Sequence, residues 1–514
     1  MIDTGHEPEA ARFIQPLPTK PNLEKQQKDA KALMRAYCRG DADAVARVEA
    51  LHPSPPAADG FKLSDAQLVI ARGYGFASWP KLKRRIDALT KPPADLFVEA
   101  VNDGDVEAVR HLLDTHPDLG ARINDPLFAF GRTAAHSACD NLELLDLLIA
   151  HGADIAKKSD WEHGGFGVLE EAKPEQADAL IARGAVVDVW AAAHLGRFEA
   201  LKALVEADPA LVNAKGGDGK RPLHYARTVE IAGYLLDRGA EIDATDDDHA
   251  STPAQYLVGD QPEVCRFLVE RGARSDLLMA AAVGDVDLVR RFLDEDPKSI
   301  DMRVSQEWFP MIDTAENGGH IYQWTLGFYA SAFDVARKFG HGAVLDLLRA
   351  HAGRRQLFLD ALWTGDLATA DACLAEQPDL VSGADDETWR HVADAARTNL
   401  TEIVRAMLAR GFPVTATSQH GATPLHWAAY HGNPEMMQVV LEYDPPVEAL
   451  CRDFGGPPLG WAFHGVREPW PLTSTGRHGD CVALLLEAGA SCKEAAFPTG
   501  HDAIDAVLRR YLFR

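Results

Sequence analysis

The chain has 514 residues, 46% hydrophobic and 25% charged, and its 77 acidic and 52 basic side chains give a net charge of −25. One hydrophobic core stops growing at roughly 250–300 residues, so this length implies several domains or a repeat array. The negative charge argues against binding to nucleic acids and acidic membranes, and no stretch reaches the roughly 20 apolar residues of a membrane helix. Seven scattered cysteines without a close pair indicate a reducing compartment, so we expect a cytoplasmic protein.

The first 93 residues predict a small helical domain. Residues 23–37 have the apolar spacing of an amphipathic helix, and residues 52–60 form a loop with three prolines. Residues 63–86 predict two helices around a break at Gly73 and Gly75. Basic residues such as Lys81 and Lys83 would also suit DNA, but in so acidic a chain we favour a helical cap on a repeat array.

From residue 94 to 514 two short patterns recur. In the first, a small-residue helix ends at Gly-Asp or a similar pair and an apolar-periodic helix follows, as after Ala100, Ala191, Ala281 and Ala361. In the second, a helix ends at Gly-Ala, with 32 positions from Gly152 to Gly184 and 33 from Gly239 to Gly272. Periods of this length are typical of stacked repeats.

A four-residue box precedes several of these helices. It is intact at Thr423-Pro-Leu-His426, nearly so at Arg221-Pro-Leu-His224 and Thr133-Ala-Ala-His136, and degraded at residues 252–255 and 457–460. Proline suits the first position of a helix, where its missing N–H has no helical partner, and threonine suits the cap. We expect the box histidines to bond the backbone of the neighbouring repeat.

With these boxes and periods, residues 94–514 resemble an ankyrin-repeat array. The resemblance implies an all-α solenoid of about twelve stacked helix pairs, preceded by the small helical domain at 1–93. That first segment resembles those found ahead of ankyrin arrays in many bacterial proteins, so a bacterial-type ankyrin repeat domain-containing protein is expected. Ankyrin arrays imply a protein partner.

Three segments interrupt the regular array. They are residues 160–171, an insert at 305–327 and an insert at 453–475, each of which brings aromatic and acidic residues or histidine together. Inserted loops of solenoids lie on one face, which is often the binding face. We therefore expect binding residues in the two long inserts and beside the box histidine of residues 423–426. The candidates are Glu307, Trp308, Asp313, Glu316, His320, Tyr322, Trp324, Trp427, His431, Trp461, His464 and Trp470.

Two functions follow from these features, and the first is favoured. The chain would act as a scaffold that binds a protein partner through its concave groove and finger loops. In the alternative, a small-molecule-binding protein or enzyme has an acid/base site on the concave face of the C-terminal half, with carboxylates and His320 as acid/base groups and tryptophans as walls. No recognised catalytic motif is present, and the histidine and cysteine spacing predicts neither a metal site nor a cofactor.

Overall fold

The structure is a computed structural model that describes residues 12–18, 20–311, 319–467, 475–492, 497–499 and 501–512. The chain divides into two compact units. We call residues 91–352 the central unit, and residues 1–90 together with 353–514 the terminal unit. In these described residues no helix has both the length and the apolar character to cross a membrane.

Helices make up both units, and the predicted all-α repeat fold is confirmed. The terminal unit begins with α1 (Leu23–Cys38), α2 (Ala42–Leu51), α3 (Leu63–Gly73) and α4 (Trp79–Thr90). The central unit contains α5 (Pro93–Asn102), α6 (Val106–Thr115), α7 (Pro117–Ala121), α8 (Ala134–Ser137), α9 (Leu142–Ala150), α10 (Pro174–Ile181), α11 (Val189–His194), α12 (Phe198–Ala207), α13 (Val229–Asp237), α14 (Pro253–Leu257), α15 (Pro262–Glu270), α16 (Leu277–Val283), α17 (Val286–Glu295), α18 (Tyr322–Thr325), α19 (Ala332–Lys338) and α20 (Gly342–His351).

The terminal unit resumes with α21 (Arg354–Thr364), α22 (Leu367–Glu376), α23 (Asp386–Arg397), α24 (Thr401–Leu408), α25 (Pro424–His431), α26 (Pro434–Leu441), α27 (Pro458–Arg467), α28 (His478–Glu487) and α29 (Asp502–Leu512). Single 3-10 turns lie at Ala129–Gly131, Pro209–Asn213, Gly217–Gly219, Pro222–Tyr225, Pro297–Asp301 and Gln419–Gly421. First helices stack on first helices, as α25 does on α23 and α27, and second helices stack on second helices, as α26 does on α24 and α28.

The Gly-Asp turns explain how one repeat changes direction. Gly284 and Gly365 end α16 and α21 in the left-handed conformation, with φ of 73° and 72°. The aspartates that follow then cap the next helix: Asp285 accepts the backbone N–H of Leu288 at 2.9 Å, for example. A glycine that ends one helix and a carboxylate that begins the next are both locally encoded, so the sequence predicts these turns well.

Three box histidines each couple their repeat to the next, as predicted. His426 accepts the backbone N–H of Thr423 at Nδ1 (3.2 Å), and its Nε2–H donates to the carbonyl oxygen of Gly456 in the next repeat (3.1 Å). His136 donates in the same way to Phe166 (2.9 Å), and His224 lies 3.3 Å from the carbonyl oxygen of Ser251. These bonds fix the imidazole tautomer, with the proton on Nε2.

A finger loop leads into each box, and neighbouring fingers also share a backbone hydrogen bond. We define the fingers as residues 128–133, 216–221, 246–252, 418–423 and 451–457. The N–H of Asp247 donates to the carbonyl oxygen of Asp218 (2.7 Å). In the same way, the N–H of Asp453 donates to the carbonyl oxygen of His420 (3.2 Å). Asp218 and His420 adopt left-handed φ values of 57° and 64° and are followed by a glycine that is also left-handed.

In the terminal unit the N-terminal helices pack against the last helix of the chain. The guanidinium of Arg509 in α29 donates to the carbonyl oxygens of Asp59 (3.1 Å) and Phe61, and Lys62 pairs with Asp502. One hydrophobic cluster contains both Met34 of α1 and residues of α28 and α29. The predicted domain boundary after residue 93 stays a prediction.

The first prediction concerns pH. Burial lowers the pKa of His224 from its usual 6.5 to about 3. A histidine with a depressed folded-state pKa contributes stability above pH 6.5 that is lost as the pH falls towards 3, because the unfolded chain then binds the proton. In His224→Gln, urea unfolding between pH 4 and 6.5 should show a pH slope lower by at most about 1.4 kcal/mol per pH unit.

Glutamine is the matched replacement because Gln255 occupies the equivalent position of the next box, where its Oε1 accepts the N–H of Thr252 at 2.9 Å. An unchanged slope in His224→Gln would show that this histidine does not titrate with unfolding.

The second prediction tests finger stacking with two left-handed glycines of the terminal unit. A Cβ on Gly421 would lie 2.5 Å from the Cβ of Arg452 in the next finger, whereas a Cβ on Gly455 would meet nothing within 4 Å. Gly455→Ala should cost about 1 kcal/mol for its positive φ alone, and Gly421→Ala roughly 1–3 kcal/mol more. Equal urea midpoints for the two variants would contradict close finger packing.

Candidate functional site

Two cavities lie where consecutive fingers meet the first helices, one in each unit. The cavity of the central unit, which we call the Trp161 cavity, has a volume of about 510 Å³. The cavity of the terminal unit, which we call the Trp461 cavity, has a volume of about 400 Å³. Both volumes fall within the range of small-ligand sites, roughly 300–1,000 Å³.

Aromatic residues form much of the wall of the Trp161 cavity. They are Phe130, Trp161, Phe166, Tyr256 and Trp324. The indole N–H of Trp161 donates to Asp218 Oδ1 at 3.0 Å, and the ring packs edge-on against Phe130 at 5.3 Å. Phe130 and Trp324 are 55% and 62% exposed, so two large apolar side chains stand open to solvent beside the cavity.

Charged groups of both signs, together with one histidine, complete the wall of the Trp161 cavity. They are Arg132, Glu171, Asp218, Lys220, Asp248 and His249. The ammonium of Lys220 lies 3.4 Å from Asp218 Oδ2 and about 5 Å from the ring centroids of Phe166 (5.0 Å) and Tyr225 (4.8 Å). A desolvated ammonium over aromatic faces is a favourable cation–π arrangement.

One group of donors in this wall could hold a metal ion. Single ligand atoms of Asp218, Asp248 and His249 lie within 4.8 Å of one another. His249 Nδ1 lies 2.6 Å from the carbonyl oxygen of Gly319, which orients Nε2 towards Asp248 Oδ2 at 3.3 Å. Two carboxylates and an imidazole are a donor set that divalent metals use. These three residues are not among the candidates predicted from the sequence.

Buried polar groups fix the fingers beneath the Trp161 cavity. Asp246 accepts the N–H groups of His249 and Ser251, both at 2.7 Å, and the hydroxyl of Tyr256 at 2.9 Å. Burial raises the pKa of Asp246 although these bonds favour its charged form. The network holds the ring of Tyr256 in the cavity wall.

The candidates from the insert at 305–327 lie in different surroundings. Glu307 is exposed, and Trp308 is half-buried in the wall of a separate cavity of about 320 Å³ that His320 also lines. Trp324 belongs to the Trp161 cavity instead. Asp313 and Glu316 lie outside the described residues.

His320 and Tyr322 are both buried, which limits their chemistry. Burial lowers the pKa of His320 to about 4, and its ring packs against Phe309 at 4.7 Å. The hydroxyl of Tyr322 donates to Asp276 Oδ2 at 2.8 Å, and burial raises the pKa of this phenol. Tyr322 is fully buried, and its contacts fix the insert to the repeat before it.

The Trp461 cavity is lined mainly by rings. Its wall contains Trp427, Tyr430, Phe454 and Trp461, with His420, His464 and two glycines. Trp461 lies at the centre of these rings, with centroid distances of 5.0 Å to Trp427, 6.0 Å to Tyr430 and 6.2 Å to Phe454. The structure therefore brings together three of the predicted residues, Trp427, Trp461 and His464, in one cavity.

Hydrogen bonds anchor the two buried tryptophans. The indole N–H of Trp427 donates to Ser418 Oγ at 2.8 Å, and that of Trp461 donates to Cys451 Sγ at 3.3 Å. Both tryptophans are buried, whereas Phe454 is 68% exposed. At the cavity edge His420 Nδ1 lies 3.1 Å from Asp453 Oδ2. The cavity thus has a floor of two buried tryptophans and an exposed phenyl ring at Phe454.

His431 and Trp470 are the remaining candidates. His431 is fully buried, its Nε2–H donates to the carbonyl oxygen of Arg397 at 2.8 Å, and its ring stacks on Trp427. These contacts give His431 a structural role in the repeat array. Trp470 lies outside the described residues. Residues 305–327 fall in the central unit and 453–467 in the terminal unit, so a single site that uses both inserts stays a prediction.

Several wall residues that were not predicted from the sequence share one position relative to a box. The residue three positions before the start of a box lines a cavity in five fingers. These residues are Phe130, Asp218 and His249 for the Trp161 cavity, and His420 and Phe454 for the Trp461 cavity. Each of these five residues precedes its box by the same number of positions, so the sequence contains this signal. Residue composition alone does not reveal it.

The fold and these fingers define an all-α repeat protein whose repeats bond to one another through histidine boxes. The family model described as ankyrin repeats (3 copies) matches residues 189–278, 360–451 and 392–496. The chain therefore contains ankyrin repeats in both units.

Curated relatives match only short segments. The chain is 39% identical over 57 residues to the ankyrin repeat and LEM domain-containing protein 1 homolog of Caenorhabditis elegans, covering 11% of this chain and 8% of that protein. It is 27% identical over 122 residues to ankyrin repeat and SAM domain-containing protein 6 of Mus musculus, covering 23% and 14%. It is 37% identical over 94 residues to the E3 ubiquitin-protein ligase KEG of Arabidopsis thaliana, covering 18% and 5%.

Among solved structures, the human ASB11 ankyrin repeat domain matches with 18% identity and a TM-score of 0.23, over 59% of this chain and 98% of that one. The chain spans at most 14% of the length of the curated relatives given above.

The third prediction separates a structural histidine from a surface one. His431→Ala should lower the free energy of unfolding by about 2–4 kcal/mol, because it removes a buried hydrogen bond and leaves a void beside Trp427. His464→Ala should change it by less than about 0.5 kcal/mol, since His464 is exposed. Urea unfolding of both variants checks this, and equal losses would contradict the assignment.

Proposed function

We propose that this chain binds a protein partner, and that the Trp461 cavity receives an apolar side chain of that partner. The observation that carries the proposal is an apolar cavity of about 400 Å³ whose wall includes the ring of Phe454, which is 68% open to solvent. In protein–protein interfaces a few residues contribute most of the binding free energy, and aromatic side chains in well-packed pockets are enriched among them.

The surroundings of the cavity support a macromolecular partner. Leu450, one residue before the finger that carries Phe454, is 66% exposed, so two large apolar side chains in this short stretch of sequence are open to solvent. Contiguous exposed apolar surface on a soluble protein commonly marks an interaction site. Ankyrin repeats commonly mediate protein–protein interaction, and the family model matches residues 392–496, a range that includes the cavity residues. We extend this proposal to binding of the partner in the concave groove and to a scaffold role for the chain.

The enclosed volume favours one second candidate, binding of a small molecule in the same cavity. Its size fits small ligands, and the His420–Asp453 pair at 3.1 Å would offer polar groups to such a ligand. In this candidate Trp427 and Trp461 form the walls.

The fourth prediction tests the partner proposal without knowledge of the partner. A displayed random-peptide library is selected on the full chain, and the dissociation constants of the enriched peptides are measured by fluorescence anisotropy. Phe454→Ala should weaken binding by about tenfold or more, because it removes the exposed ring. The control Leu89→Ala removes another exposed apolar side chain of the terminal unit, 47% open, and should leave binding within about twofold.

Peptides that bind wild type and Phe454→Ala equally well, or no enriched peptide, would contradict the proposal. A metabolite library is then screened by thermal shift. A ligand that raises the melting temperature of the wild type and not of Trp461→Ala, checked for folding by circular dichroism, would establish the small-molecule alternative.

A further inference from the structure

The Trp161 cavity differs from the Trp461 cavity in charge. Its wall holds three carboxylates, Glu171, Asp218 and Asp248, against two fixed cations, Arg132 and Lys220. The carboxylate side chains of Asp218 and Asp248 are only 13% and 12% exposed, so solvent screens them weakly. An excess of negative charge inside a partly dry cavity attracts a cationic ligand group.

The walls already accommodate cations of this chain. Lys220 lies beside Asp218 and over the rings of Phe166 and Tyr256, at 5.0 and 5.3 Å from their centroids. The guanidinium of Arg132 lies 5.6 Å from the ring of Phe130 and pairs with Glu171. Rings next to carboxylates therefore form a repeated environment for cations in this cavity.

We infer that the Trp161 cavity binds an arginine side chain of a protein partner. The inference rests on the proposed function, because it assigns a second contact with a protein. A guanidinium is planar, so it can lie against the flat faces of Trp161 and Trp324 while its N–H groups bond to Asp218 and Asp248. The net charge of −25 favours a basic partner and speeds its approach at low salt.

Arginine fits this wall better than lysine. The ligand atoms of Asp218, Asp248 and His249 lie within 4.8 Å of one another, which is a spread that a forked donor can bridge. An ammonium is a point charge without a planar face, so it would gain less from the indole walls. The contrast between the two basic side chains can be measured directly.

The experiment uses N-acetyl-L-arginine amide as the probe and the full chain as receptor, with saturation-transfer difference NMR as the readout. The neutral isostere N-acetyl-L-citrulline amide and the lysine analogue are measured in parallel. We expect the arginine probe to bind, the citrulline analogue to bind at least about tenfold more weakly, and the lysine analogue to fall between them.

The variant D218N/D248N should reduce arginine binding by about tenfold or more, because the charged hydrogen-bond acceptors are lost. The matched control is Asp247→Asn, in the same finger as Asp248. Asp247 pairs with Lys215 at 2.8 Å and does not line the cavity, so this variant should bind the probe as the wild type does. Circular dichroism spectra and melting temperatures verify that each variant is folded.

Equal binding of arginine and citrulline probes, or wild-type binding by D218N/D248N, would overturn the inference. It is also overturned if Mg²⁺ or Zn²⁺ raises the melting temperature of the wild type and not of D218N/D248N, because the cluster is then a metal site. The two proposals can fail independently, because the arginine probe can bind to the Trp161 cavity even when no peptide depends on Phe454. A Phe454-dependent peptide together with no arginine binding would leave the proposed function and remove this inference.

Discussion

The hydrogen bond from a box histidine to the next finger is the interaction on which this structure depends. Each imidazole accepts from its own box through Nδ1 and reaches a backbone carbonyl of the following repeat through Nε2, as His136 and His426 do. A helix pair of this size cannot bury its own apolar face, so stability comes from stacking. The histidine bond joins neighbouring repeats at a carbonyl oxygen that also accepts a backbone N–H of its own finger, as Gly456 does from Cys451.

The same bond places the fingers in a row, and the cavities follow from that row. A second bond, between the N–H of one finger and a carbonyl of the previous tip, brings Asp247 to Asp218 and Asp453 to His420. With the backbones held this closely, the side chains three positions before each box come together beside the first helices. Two fingers with aromatic tips make an apolar cavity, whereas fingers with Asp218 and His249 make a charged one.

The two cavities also show how one repeated scaffold can hold different chemistry. Both lie where stacked fingers meet first helices, and their tip residues and inserted loops differ. Buried tryptophans bonded to Ser418 and Cys451 give the terminal unit a rigid apolar floor. In the central unit, Asp246 accepts the hydroxyl group of Tyr256, and Lys220 pairs with Asp218. These contacts hold the polar groups of the wall in place. Rigid walls lower the entropy cost of binding, which is the advantage of sites built on a stacked array.

The sequence by itself determined the repeat period, the Gly-Asp turns, the structural part played by His136, His224 and His426, and the all-α fold. Those features are local or periodic, so each can be recognised within a few residues. Only the tertiary structure decided that Trp427, Trp461 and His464 share a cavity while His431 supports the array, and that Asp218, Asp248 and His249 converge. It also decided that Arg509 contacts the loop before α3. Such contacts join residues about thirty to several hundred positions apart, and their partners depend on how the fingers stack, which no local pattern encodes.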